Sequence, residues 1–139
     1  MRVVGYKNGV PLQVDLEPFG SFLVERDTLS AYYEMLKEAK KEGLELKINS
    51  AFRAMDQQER LLKEWEEGKR KIRPARPGFS KHQLGTALDI NRSHDDPDGD
   101  GPLLGKTDVW LRQNAAKFGF YATVPGEPWH WEFVGLLEE

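Results

Sequence analysis

Residues 80–89 read Ser80-Lys81-His82-Gln83-Leu84-Gly85-Thr86-Ala87-Leu88-Asp89, which places a turn, a strand and two reactive side chains within ten positions. Gly85 permits a tight turn after His82, and the small Ala87 lets a neighbouring backbone approach closely. On the strand that follows, Thr86, Leu88 and Ile90 share one face while Ala87 and Asp89 share the other. A turn plus a strand therefore brings Asp89 back beside His82. Imidazole and carboxylate are both good zinc ligands.

A second dense segment is Glu127-Pro128-Trp129-His130-Trp131-Glu132-Phe133. Strand alternation predicts Trp129, Trp131 and Phe133 packed inward, with His130 and Glu132 on the opposite face. The chain has only three histidines, and two of them stand in these two patterns. Each alone is most simply a half-buried hydrogen-bonding residue. With Asp89, however, His82 and His130 make three ligands, the number a catalytic zinc takes while one coordination position stays open.

Outward from these segments the pattern is that of a small α+β domain. Val3 to Lys7 and Val10 to Leu16 flank Asn8-Gly9, which predicts a hairpin over residues 3–16. Leu29, Tyr32, Tyr33, Leu36 and Ala39 recur at helical spacing between Arg26 and Glu42, with Asp27 or Thr28 as cap and Gly43 as stop. Leu44, Leu46 and Ile48 alternate with polar residues, as in a half-buried strand. Further helices are expected over 55–67 and 107–118, and further strands over 86–91, 120–123 and 129–134. The expected fold is one α+β domain over residues 1–139, a mainly antiparallel sheet flanked by about three helices, with the site at the strand ends.

Composition narrows the function. With 139 residues the chain suits one domain. Its net charge of −3 argues against a protein built to neutralise nucleic-acid phosphates. The absence of cysteine excludes disulfide scaffolds, thiolate zinc sites and a cysteine nucleophile. No apolar run approaches the ~18–20 residues of a membrane-spanning helix. No secretory signal is visible at the start, and no apolar stripe demands an oligomer, so a soluble monomer is expected.

Two loops carry charge. Residues 68–79, GKRKIRPARPGF, form either a solvated connection or a basic lip for an anionic substrate such as a cell-wall polymer. In the second loop Asp96, Asp98 and Asp100 fall at positions one, three and five of an EF-hand-like loop, with Gly101 at six. Position twelve is Thr107 rather than the usual Glu, although Asp108 is adjacent. A polar surface loop is the plainer reading and calcium binding the alternative. His94, beside it, reads as solvated.

The SxHxxGxAxD pattern of Ser80, His82, Gly85, Ala87 and Asp89, followed by Glu127, Trp129 and His130 as ExWH, resembles the LAS metallopeptidases. That group takes in VanY-type D-alanyl-D-alanine carboxypeptidases, phage endolysin peptidases and the zinc domain of hedgehog proteins. Ser50-Ala51-Phe52-Arg53, with Gln58 following, is similar to the SGYR segment of the VanY-type branch. The resemblance implies zinc held by His82, Asp89 and His130. It also implies Glu127 as the general base that moves a proton from water to the leaving amine, and Arg53 as the group on the scissile carbonyl or oxyanion. Gln58 and Ser80 are the candidate substrate contacts, although Ser80 could equally cap a turn. The implied activity is hydrolysis of peptidoglycan stem peptides at the cell wall, as a carboxypeptidase or an endopeptidase.

Two departures accompany the resemblance. Ala51 replaces the usual glycine. Glu132 stands where many VanY-type enzymes have a basic residue, which favours an endopeptidase, and it is either a ligand-orienting partner or a solvent-facing strand residue. The alternatives from other classes are a zinc-containing binding module without hydrolysis and, more weakly, a nucleic-acid binder using Lys69, Arg70, Lys71, Arg73 and Arg76.

Overall fold

The N-terminal hairpin turns at Asn8 and Gly9, both with positive φ (51° and 81°), the conformation that a two-residue turn between right-twisted strands requires. Its strands are β1 (Arg2–Lys7) and β2 (Val10–Phe19). The computed structural model of the chain describes residues 1–91 and 105–135. Asp96, Asp98 and Asp100, the loop for which calcium binding is the alternative reading, and the neighbouring His94 lie outside the described residues.

β2 is longer than the sequence pattern suggested. It continues to Phe19, turns again at Gly20 (φ 59°) and Ser21, and pairs with β3 (Phe22–Glu25). Pro18 is tolerated in this strand because the β1 ladder has already ended at Asp15. The first sheet is therefore a three-stranded meander of order β1-β2-β3.

Helix α1 (Arg26–Lys41) follows directly. Its cap is Glu25 rather than the expected Asp27 or Thr28: the Glu25 carboxylate accepts from the Asp27 and Thr28 amides at 2.8 and 2.9 Å and from the Thr28 hydroxyl. A longer acidic side chain does here what a short one commonly does. Leu29, Tyr32, Met35 and Ala39 are buried, whereas Tyr33 is exposed.

The strand expected from Leu44 onward reduces to β4 (Ile48–Ser50). Asn91 explains the difference. Its side chain accepts from the Lys47 amide at 2.6 Å and donates to the Glu45 carbonyl, occupying groups a strand neighbour would use. The remaining elements are α2 (Met55–Glu66), a 3-10 turn at Lys81–Leu84, β5 (Ala87–Ile90), α3 (Lys106–Asn114), a second 3-10 turn at Ala115–Phe118, β6 (Phe120–Tyr121) and β7 (His130–Phe133). α3 gives way to the 3-10 turn where the periodicity alone predicted one helix to Phe118.

The second sheet has the order β4-β5-β7-β6, with every pairing antiparallel. Leu88 and Ile90 of β5 and Trp131 of β7 join Leu29, Tyr32, Met35, Trp110, Leu111 and Phe120 in one buried cluster. Burial of each large apolar side chain contributes about 1.5–3 kcal/mol, so this layer between α1 and the sheet is the principal source of stability. All four residues of β5 are buried. Its other face, with Ala87 and Asp89, looks away from that core, as the alternation of the sequence predicted.

Candidate active site

The site begins with a capped turn. Ser80 is buried, and its hydroxyl accepts from the His82 amide at 3.2 Å, fixing the start of the 3-10 turn. Gly85 ends that turn with φ 76°. A Cβ at Gly85 would lie 2.7 Å from Leu16 Cδ2 and 3.0 Å from the Glu25 amide nitrogen, so both its conformation and its contacts require glycine. The turn is thereby pressed onto β2 and the head of α1.

His82 is oriented from behind. Its Nδ1 lies 2.7 Å from the Ala51 carbonyl, which can only accept, so Nδ1 carries the proton and Nε2 presents a lone pair. The Arg53 amide donates to the His82 carbonyl at 2.9 Å, clamping the same two segments a second time. Ala51, where relatives of this pattern commonly have glycine, is a buried part of this clamp.

Asp89 faces His82 and is paired directly with His130 across the β5–β7 ladder. Asp89 Oδ1 lies 3.1 Å from His82 Nε2 and 3.4 Å from His130 Nδ1. The imidazole rings meet edge to face, with centroids 5.1 Å apart. The three donor atoms lie within 4.8 Å of one another, and all three residues are buried. Burial would push the Asp89 carboxyl up, but the neighbouring His130 and His82 imidazoles and the Arg53 guanidinium outweigh it and hold the group well below the carboxylate range. Burial lowers the His82 imidazole, only partly opposed by Asp89.

These facts test whether a zinc ion fits. A neutral imidazole lone pair and a carboxylate oxygen are two acceptors, and at 3.1 Å they repel unless a cation lies between them. His82 is held neutral, so a metal cation suits this position better than a proton. Two nitrogens and one oxygen converging in a dry pocket form the donor set of a catalytic zinc. The residues fit.

Glu127 stands beside this cluster. Its Oε1 is 3.9 Å from His130 Nδ1, and its carbonyl accepts from the His130 amide in a turn that also joins the Glu127 amide to Val124. Its side chain is about a quarter exposed, enough to meet water and substrate. Arg53 donates from Nη2 to Asp89 Oδ2 at 3.4 Å and from Nε to Ser50 Oγ at 3.2 Å. Asp89 therefore turns one oxygen to the histidines and the other to Arg53.

The structure thus brings together His82, Asp89, His130, Glu127 and Arg53. It gives Ser80 the role of turn cap. Gln58, a candidate substrate contact from the resemblance, is fully buried, and its Nε2 donates to the Ala75 carbonyl. Glu132 accepts from Thr123 Oγ1 at 3.0 Å, and among the described residues it makes no hydrogen bond or ion pair to His82, Asp89 or His130, so it does not orient them. Trp131 and Phe133 pack against the core as predicted, but Trp129 precedes the strand and is buried separately. Sequence reasoning missed the Ala51 carbonyl, since backbone acceptors carry no sequence signal. It also missed Gln83, which is buried and accepts from the Gly78 amide at 2.7 Å.

Known proteins resemble this chain in sequence and in fold. The chain is 32% identical over 127 residues to "Putative carboxypeptidase YodJ" of Bacillus subtilis strain 168, covering 81% of this chain and 46% of that one. It is 28% identical over 160 residues to the D-alanyl-D-alanine carboxypeptidase of Enterococcus faecalis strain V583, covering 96% and 58%. The chain therefore spans about half the length of the curated relatives it matches. Among solved structures, the vancomycin-resistance D,D-pentapeptidase VanY of a VanB-type cassette, a point mutant in complex with Zn(II), superposes with a TM-score of 0.70 at 24% identity, covering 88% of this chain and 80% of that one. That likeness establishes the fold. The VanY family profile, described as D-alanyl-D-alanine carboxypeptidase, matches residues 21–136, and the chain belongs to that family of peptidases.

Proposed function

We propose that this protein is a zinc-dependent carboxypeptidase that hydrolyses the terminal peptide bond of peptidoglycan stem peptides. The observation that carries the reading is the buried convergence of His82, Asp89 and His130, with the partly exposed Glu127 carboxylate beside His130. His82, Asp89 and His130 hold the zinc. When bound, zinc supplies Lewis acidity, polarising a carbonyl and making water nucleophilic near neutral pH.

The remaining work falls to this chain's own side chains. Glu127 accepts a proton from the attacking water and returns it to the leaving amine nitrogen as the bond breaks. Arg53 holds the carbonyl oxygen as negative charge develops, its guanidinium aimed by Ser50 and Asp89. The bonds of Ala51 to His82 and of His130 to the Glu127 turn keep these groups in register without rearrangement.

The carboxypeptidase reading is preferred to an endopeptidase because the family is that of carboxypeptidases and because Glu132, the residue that favoured the other activity, is engaged by Thr123. A binding module without hydrolysis would have no use for Glu127 beside a three-ligand site. Digestion of defined muropeptides by zinc-loaded and chelated protein, read by mass spectrometry, tests the proposal. The expected product is loss of one terminal D-Ala, abolished by chelation and restored by zinc. Internal cleavage would make it an endopeptidase, and no cleavage by zinc-loaded protein would overturn the reading.

A further inference from the structure

Arg53 also lines an open cleft of about 760 Å³ that none of the three metal-site residues lines. One wall is a single face of α2, carrying Asp56, Gln57, Arg60, Leu61 and Glu64, and Phe22 and Leu23 of β3 line it as well. Arg70, from the basic loop, also lines it.

The charges in this cleft are unequally partnered. Arg70 and Glu64 form an ion pair at 2.9 Å, and Glu64 is held below its ordinary range first by that hydrogen bond. Asp56 accepts from the Gln57 amide. Arg53 is engaged with Ser50 and Asp89. Arg60 is different. It is exposed and makes no hydrogen bond or ion pair among the described residues, although Glu64 is within electrostatic reach. The cleft thus has an acid–base pair on one side and an uncommitted guanidinium on the floor helix. A guanidinium in that position suits a carboxylate, which it can grip through two parallel N–H bonds.

The spacing says where that carboxylate belongs. Arg60 stands five residues after Met55, the first residue of α2, about 7.5 Å along the helix axis, and Arg53 lies two residues before that start on the same cleft. An extended peptide at about 3.3 Å per residue bridges such a reach in about three residues. We infer that the cleft is a substrate subsite for an acidic peptide, in which Arg60 recognises a carboxylate about three residues from the bond held at Arg53. This inference rests on the peptidase reading and adds to it a specificity-determining residue. The apolar Phe22, Leu23 and Leu61 cover the backbone between the two arginines, and Arg70 adds positive potential at long range.

The test uses two synthetic peptides with the same scissile bond, one with a carboxylate and one with a carboxamide at the third residue from it. Zinc-loaded protein is expected to cleave the carboxylate peptide with roughly tenfold higher kcat/KM. Arg60→Gln is expected to bring that ratio close to one, and Arg60→Glu to reverse it. Binding of the same peptides to metal-free protein, followed by tryptophan fluorescence, should show the same order. Equal cleavage of both peptides by the unmodified protein overturns the subsite and leaves the peptidase reading standing. So does an Arg60→Gln variant that keeps the preference. Cleavage of neither peptide, with equal binding in the metal-free protein, overturns both.

Discussion

Asp89 stands directly opposite His130 in the β5–β7 register, and the same carboxylate reaches His82 from the other side, with Oδ1 at 3.4 and 3.1 Å from the two imidazoles. One residue thus joins a sheet position to a turn position. The ladder fixes the Asp89–His130 spacing, whereas the His82 side depends on a turn clamped by Ser80, Ala51 and Gly85. Disturbing one side of the site should therefore be separable from disturbing the other.

Glu127 is the residue whose removal should separate chemistry from metal binding. Glu127→Gln keeps the size and the turn but loses the ability to accept a proton. Zinc content, measured by atomic emission on purified protein, is expected to stay at one ion per chain. Turnover of a D-Ala-terminated peptide is expected to fall by about 10²–10⁴-fold. Near-normal turnover would remove Glu127 from the role of base.

Arg53 should affect both properties, unequally. Arg53→Lys retains a charge but cannot hold Ser50, Asp89 and substrate oxygen with one planar group. Activity is expected to drop by roughly 10²–10³-fold, the usual effect of losing an oxyanion donor. Zinc affinity should weaken by about tenfold, because the second Asp89 oxygen loses its partner. The two are read by kcat and by competition against a chromogenic chelator. Unchanged kcat with lowered zinc affinity would make Arg53 a positioning residue only.

How far the sequence led is instructive at particular residues. The convergence of His82, Asp89 and His130 was legible because the period-2 alternation of residues 86–90 assigns Asp89 to the face opposite Leu88 and Ile90, and these two join the core while Asp89 meets the histidines. The strand expected near Leu46 was not, because its backbone groups are taken by the Asn91 side chain, a contact 44 residues away. Nor was β3, because Pro18 and Gly20 interrupt the apolar pattern, although Gly20 is the first residue of a two-residue hairpin turn. Gln58 shows the same limit: helical position alone gives no sign that the Ala75 carbonyl will bury it.

The metal-free protein should be acid-sensitive in two stages. Burial keeps the folded His82 imidazole below its ordinary value, so the unfolded chain takes up a proton first, near pH 6.5. Its contribution to stability is complete above about pH 6.5 and declines as pH falls. Asp89 acts in the same direction lower down: its folded carboxyl is depressed, so its contribution is full above about pH 4 and is lost as pH falls further. Thermal unfolding of chelated protein between about pH 7.5 and about pH 2.5 should show Tm level above about pH 6.5, falling below it and falling again below about pH 4, with Asp89→Asn lacking the lower stage. A flat Tm down to about pH 4 would contradict the buried, neutral state assigned to His82.

The hairpin should prove to be part of the metal site although it supplies no ligand. Gly5 of β1 packs on the 3-10 turn so closely that an added Cβ would lie 2.5 Å from the Gln83 carbonyl oxygen and 3.1 Å from Val14 Cγ1. Neither the turn backbone nor the β1–β2 ladder yields cheaply, and overpacking of this kind costs about 1–3 kcal/mol. Relief comes from moving either β1 or the turn that carries His82, so Gly5→Ala is expected both to lower Tm and to weaken zinc binding about tenfold. Val4, its neighbour, is 55% exposed, and Val4→Thr should change stability by less than about 0.5 kcal/mol and leave zinc affinity unaltered. Paired zinc titrations and melting curves of the two variants decide the matter: a Gly5→Ala protein that binds zinc as tightly as the parent would mean that the hairpin yields and the ligand turn stands without it.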